Sequence, residues 1–218
     1  MLTTAAIVKQ HLRLPSGTLP DDELFPFVAE RIAAGDVVGW FQGRMEFGPR
    51  ALGNRSIVVD PRRADMKDVL NARIKHREPF RPFAPSILAE ATGDFFEQDY
   101  TSPFMVLVYR TRADKRELIP GVNHVDDTGR LQSVRRETNP RYHRLIQEFE
   151  RRTGVPMVLN TSFDENEPIV MSPTDALETF ERTRIDLLVL GSLVVRRSGR
   201  AEEAAEAAAL GGQVEAQR

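Results

Sequence analysis

The sequence predicts a mixed α/β or α+β domain built around one sheet. Three observations lead there. Short apolar runs such as Val37-Val38-Gly39-Trp40-Phe41, Ser56-Ile57-Val58-Val59 and Leu187-Leu188-Val189-Leu190 have strand length and end at turn residues. Between them lie segments whose apolar residues recur at helical spacing, among them Leu24, Val28 and Ile32, and Leu145, Ile146 and Phe149. The connections are short, and 218 residues at 41% hydrophobic content suffice for one large core or two small ones. The pattern does not dictate the order of strands in the sheet.

Residues 1–20 read as an irregular leader punctuated by Pro15, Ser16, Gly17 and Pro20, residues 21–197 as the folded domain, and 198–218 as an Ala/Glu-rich tail, flexible or helical. The first helix starts at Asp21 or Asp22 as cap, carries Leu24, Phe27, Val28 and Ile32 inward, and ends at Gly35. Residues 37–41 then form a buried strand and 56–59 a second, stopped by Asp60-Pro61. Asp65 reads as the N-cap of a helix carrying Met66, Val69, Leu70 and Ile74. Lys75 falls near its C-terminal end, Arg77 and Arg81 lie beyond it, and Pro79, Pro82 and Pro85 prevent its continuation. Residues 86–88 suit a strand, 89–96 a short helix, and 104–109 a strand from their aromatic and β-branched content. A polar loop spans 120–130, and a helix at 141–152 ends at Gly154. Residues 155–159 form a buried strand that delivers Asn160-Thr161-Ser162. Ser172-Pro173-Thr174-Asp175 is a helix start, with Ser as N-cap, Pro at N1 and an acid at N3. Residues 187–190 and 193–195 pair around Gly191-Ser192.

The formal charge of −2 and pI near 6.1 argue against a dedicated nucleic-acid binder. The absence of cysteine removes disulfides, thiolate nucleophiles and Cys-based zinc sites. No apolar run reaches the roughly 18 residues a membrane span needs, and no h-region opens the chain, so a soluble cytoplasmic protein is expected.

Chemistry concentrates between residues 39 and 81. From Arg44 to Arg81 there are ten Lys/Arg against five Asp/Glu, interleaved with glycine, proline and aromatics. Glycines admit a ligand close to backbone N–H groups, and arginines present planar forks to phosphate or carboxylate oxygens. Arg44, Arg50 and Arg55 occupy a loop after a strand, where α/β proteins place ligands; the alternative is pairing with Glu46 and Asp60. Lys75, Arg77 and Arg81 form a second cluster that can converge with the first on one polyanion, against the alternative of a surface Arg77–Glu78 pair. Asn160 and Ser162, at a strand end, suit ligand oxygens and turn duties equally. Asp126 with His124 or Asp127 offers weak support for a hard cation. The four histidines show no metal-ligand spacing, and no Walker or Gly-x-Ser-x-Gly motif is present.

The runs GWFQGRMEFGPRALGNRSI, NARIKHREPFRPFAPS, HVDDTGRLQSV and TGVPMVLNTSF, followed by EPIV, closely resemble the signature of the carbamoyltransferase C-terminal domain of nodulation and antibiotic O-carbamoyltransferases. The likeness extends from about residue 21 to about residue 195. It implies a YrdC-like fold, an open twisted α/β sheet with flanking helices and a basic concave face. It also implies formation of carbamoyl-adenylate from carbamoyl phosphate and ATP, with Mg2+ accompanying the nucleotide and pyrophosphate leaving. The carbamoyl group would pass to an acceptor hydroxyl on a separate Kae1-like transferase domain or subunit. By motif, Arg50, Lys75 and Arg81 would be the catalytic phosphate-binding set, with Arg44, Arg55, Arg77, Arg130, Asn160 and Ser162 completing the pocket. No metal ligand is assigned within the chain. Asp127 and Asp164 depart from the family's usual residues, each adding negative charge beside an anion site. The alternative is a non-catalytic nucleotide- or RNA-binding module of the same fold.

Overall fold

A computed structural model describes residues 16–78 and 80–197 of the chain, so residues 1–15 and the expected tail at 198–218 lie outside the described residues. Among the described residues there are ten strands: β1 Ser16–Thr18, β2 Val38–Phe41, β3 Arg55–Val59, β4 Ala84–Leu88, β5 Tyr109–Arg110, β6 Thr128–Gly129, β7 Gln132–Val134, β8 Met157–Ser162, β9 Leu187–Leu190 and β10 Leu193–Arg196. Eight of them make one mixed sheet in the order β1-β10-β9-β2-β3-β8-β4-β7, and β5 pairs with β6 alone. Ser16–Thr18, expected within an irregular leader, is an edge strand antiparallel to β10. Its three exposed residues carry no hydrophobic pattern, so only the backbone ladder defines it.

The helices are α1 Asp21–Ala33, α2 Met66–Leu70, α3 Thr92–Phe95, α4 Pro140–Thr153 and α5 Pro173–Arg182. α1 begins after Pro20, and Asp21 and Asp22 lie inside its first turn, where carboxylates favour the positive helix end, instead of capping it. α1 packs against α4, and its Phe25 ring lies 6.2 Å from that of Trp40 in β2. α4 buries Tyr142, Leu145, Ile146 and Phe149, and Gly154 ends it at φ 73°, a left-handed conformation that glycine adopts without strain. Its cap is Asn139, whose side chain accepts from Tyr142 N, with Pro140 in the first turn. The Ser172 capping box with Asp175 forms as the sequence predicts.

α2 runs straight into a π turn, Asn71–Lys75, which His76 closes at φ 45° with its N–H on Asn71 O at 2.8 Å. Asp65 makes no side-chain cap there; its carboxylate pairs with Arg63 at 2.6 Å.

The expected strand at 104–109 is mostly absent. Only Tyr109 and Arg110 enter a ladder, while Phe104, Val106, Leu107 and Val108 are exposed. Between Phe104 and Val108 only Met105 is buried, at φ 54°, and this left-handed residue breaks the extended geometry that the composition favours.

Candidate functional site

Strand direction decides where the polar residues meet. β2 and β8 end, and β3, β4 and β7 begin, at one and the same end of the sheet, because β3 is antiparallel to both β2 and β8, β4 is antiparallel to β8, and β7 is parallel to β4. The residues just beyond those ends therefore share one rim. They comprise the 42–54 loop after β2, Asp164 after β8, the segment from Lys75 to Phe83 before β4, and Arg130 before β7.

The 42–54 loop is held by Glu46, whose Oε1 accepts from Leu52 N at 2.6 Å and Asn54 N at 2.8 Å. Asn54 and Asn139 both receive Gln42 Nε2, at 3.0 and 2.8 Å, which ties the loop to the cap of α4. Gly53 sits at φ 100°, and a Cβ there would come within 2.1 Å of the Tyr142 ring, so the loop's approach to α4 requires glycine.

Arg55 is 4% exposed and donates to four carbonyls: Gln42 O at 2.7 Å, Asn54 O at 2.9 Å, Gly43 O at 3.0 Å and Met171 O at 3.4 Å. Its guanidinium lies 3.5 Å from the Phe41 ring centre. Burial holds it below the usual arginine range, and Glu46 partly opposes that. Arg55 is thus a brace beneath the loop.

Glu46 therefore serves backbone amides and Asp60 pairs with Arg62 at 2.6 Å, so neither neutralises the loop arginines as the bland alternative supposed. Among the described residues no carboxylate pairs with Arg44, Arg50, Arg77 or Arg130. Arg77 lies 4.2 Å from the Phe83 ring centre, and Glu78 reaches Arg81 instead, at 3.9 Å. Burial lowers the Arg77 pKa, followed by repulsion from Arg81; Arg130 adds to this and Asp164 opposes it. Arg130 is lowered by burial and then by Arg50. Of the two clusters read from the sequence, Arg44, Arg50 and Arg55, and Lys75, Arg77 and Arg81, Arg50 of the first and Arg77 of the second thus each lie within electrostatic reach of Arg130. A set of guanidiniums that repel one another without carboxylate partners is stabilised by an anion.

Lys75 is 4% exposed, and its Nζ donates to Ser162 O at 2.7 Å, Asp164 O at 2.8 Å and Asp164 Oδ1 at 2.7 Å, with Ser162 Oγ at 3.3 Å. Burial depresses its pKa, and the Asp164 carboxylate opposes that shift. Asn160 is 1% exposed and lies under the loop. Its Nδ2 faces Ala51 O, Ser86 Oγ and Gln132 Oε1 at 3.1, 2.9 and 3.3 Å, and Gln132 Nε2 holds Leu52 O at 2.9 Å. Among the described residues the side-chain carbonyl oxygen of Asn160 is buried without a hydrogen-bond partner. Gln42, Ser86 and Gln132 lie within the quoted signature runs without a role assigned to them there, and Asn139 lies outside those runs.

The cation reading of the 124–127 loop does not hold together geometrically. Asp126 accepts from Thr128 Oγ1 at 2.7 Å, and Asp127, at φ 61°, pairs with Arg116 at 2.9 Å.

The family model described as the carbamoyltransferase C-terminus matches residues 29–197. The nodulation protein NolO of Bradyrhizobium diazoefficiens is 52% identical over 180 residues, covering 81% of this chain and 33% of that protein. The 3'-hydroxymethylcephem-O-carbamoyltransferase of Amycolatopsis lactamdurans is 38% identical over 187 residues, covering 85% of this chain and 35% of that protein. This chain therefore spans about a third of the length of such relatives. A crystal structure of P. abyssi Sua5 complexed with L-threonine superposes at a TM-score of 0.56 with 14% identity, covering 81% of this chain and 48% of that one. That likeness establishes a YrdC-like fold.

Proposed function

The chain belongs to the carbamoyltransferase C-terminus family, and from that premise we propose that it forms carbamoyl-adenylate from carbamoyl phosphate and ATP. The supporting observation is the rim cluster of Arg50, Arg77, Arg81 and Arg130, three of them without a carboxylate partner among the described residues. Carbamoyl phosphate loses inorganic phosphate to water and yields carbamate. A carbamate oxygen then attacks the α-phosphorus of ATP, and the bond to the β-phosphate oxygen breaks to release pyrophosphate. Both leaving groups are anions, and preorganised guanidiniums at a partly desolvated rim stabilise such charge without reorganisation.

In this reading Arg50, Arg81, Arg77 and Arg130 bind phosphate oxygens, and Arg44 adds charge at the mouth. Arg55 and Asn160, both buried, hold the loop that presents Arg50. Lys75 and Ser162, joined at the end of β8, would face the same phosphate group once the Asp164 carboxylate gives way. Mg2+ would arrive carried on the triphosphate. A Kae1-like transferase domain or subunit, which would choose the acceptor hydroxyl, would correspond to the part of the relatives that this chain does not span.

The test is pyrophosphate release by the isolated chain. Release that requires both ATP and carbamoyl phosphate, and falls at least about 100-fold in Arg50→Ala, is expected for loss of one transition-state charge contact. ATP or RNA binding by the folded chain without release would instead identify a non-catalytic module.

A further inference from the structure

An ammonium group has three protons, and Lys75 Nζ spends them on three oxygens within 2.8 Å, two of them belonging to Asp164. None remains for a ligand phosphate. Motif comparison assigns Lys75 to phosphate binding, so an incoming anion meets a cation that already has a carboxylate on it. Glu165 and Glu167 follow Asp164 in the chain and add further negative charge. Glu165 reaches His76 at 3.6 Å, and Glu167 adds its field at Lys75. Asp164 is only partly buried, with side-chain exposure of 19%, whereas Lys75 is sealed on its protein side at 3%. The carboxylate is the member of the pair that can swing outward to solvent, and the lysine cannot follow it.

We infer that Asp164 is the resident anion of the Lys75 subsite, and that a phosphate-bearing ligand reaches Lys75 by displacing the Asp164 carboxylate, one oxygen for one oxygen. Asp164 thereby sets the affinity of the site, trading ligand affinity for stability in the empty state. A buried ammonium left without a counter-charge is strongly destabilised, so the empty pocket needs an internal carboxylate or a bound anion. The inference rests on the anion-site reading above but not on adenylate chemistry.

Pyrophosphate, used alone, is the probe. Isothermal titration of D164N should give pyrophosphate affinity about tenfold above that of the unaltered chain, as expected for removing one like charge at a partly buried site. The thermal midpoint of D164N should be lower than that of the unaltered chain in anion-free buffer and recover on adding pyrophosphate. The gain in affinity should vanish when K75M is added to D164N. Equal or weaker affinity in D164N, an undiminished gain in the double variant, or no pyrophosphate binding by either protein would overturn the proposal. In the unaltered chain, the Asp164 carboxyl carbon resonance should shift as pyrophosphate saturates the site; a resonance that does not move also overturns it. These readouts are independent of ATP turnover. Tighter binding in D164N without pyrophosphate release by the parent would sink the enzymatic reading alone.

Discussion

Arg55 donates to four backbone carbonyls, whereas Arg50 and Arg130 donate to none among the described residues. One residue type thus performs two tasks, separated by burial. Arg55→Met leaves carbonyls of Gln42, Gly43 and Asn54 without their donor, and urea denaturation should show a loss of about 2–4 kcal/mol, the range for breaking a buried charged network. Arg130→Ala removes a guanidinium that burial and Arg50 already disfavour, so the same measurement should stay within about 1 kcal/mol. Pyrophosphate binding should respond in the opposite sense, falling about tenfold or more in Arg130→Ala because a charge-assisted contact is lost. A destabilised Arg130→Ala with unchanged anion affinity would contradict this division of labour. In the sequence Arg55 is a candidate ligand from its Gly-rich loop, whereas Arg130 is one only through the family resemblance. Only the three-dimensional path of the chain showed that Arg55 points into a ring of carbonyls.

At the scale of the element, the helices and most strands follow from local chemistry. The Ser172 capping box, the buried stripe of α4 and its closing Gly154 are each specified by residues within a few positions of one another. The 120–130 loop that delivers Arg130 is specified less locally. His124 in it is half-buried, and burial holds its imidazole below the ordinary value of 6.5, with Lys67 and Arg130 adding to the shift and Asp126 opposing it. A histidine depressed in the folded state gives the unfolded chain the greater proton uptake just below pH 6.5, so stability rises with pH through that window. His124→Asn should flatten this limb of the pH–stability curve measured by thermal melts. A curve of unchanged slope would show that His124 does not carry the linkage.

At the scale of the whole molecule, the run Phe104-Met105-Val106-Leu107-Val108 shows why composition misleads. It has the content of a buried strand, yet four of its five side chains are exposed beside the edge strand β7, where Ser133 N meets Ser102 O at 2.9 Å. Burial belongs to position in the sheet, and β7 is the last strand of the order. Phe104→Ser with Val106→Ser should shift stability by no more than about 0.5 kcal/mol per site in the isolated chain, as exposed positions do. A cooperative loss of several kcal/mol in calorimetry would mean that these side chains are packed in solution.

The sequence by itself determined the family, the mixed α/β class, the approximate positions of the main helices and the location of the basic residues, because motifs and periodicity are properties of neighbouring residues. The three-dimensional structure decided the rest. It set the strand order, drew Ser16–Thr18 onto the sheet edge, gathered five strand ends into one rim, and brought Arg50 and Arg77 together through Arg130. It also decided that Lys75 is satisfied by Asp164, 89 positions away in the chain. Such pairings are long-range, and a charge acquires its role from what burial leaves beside it.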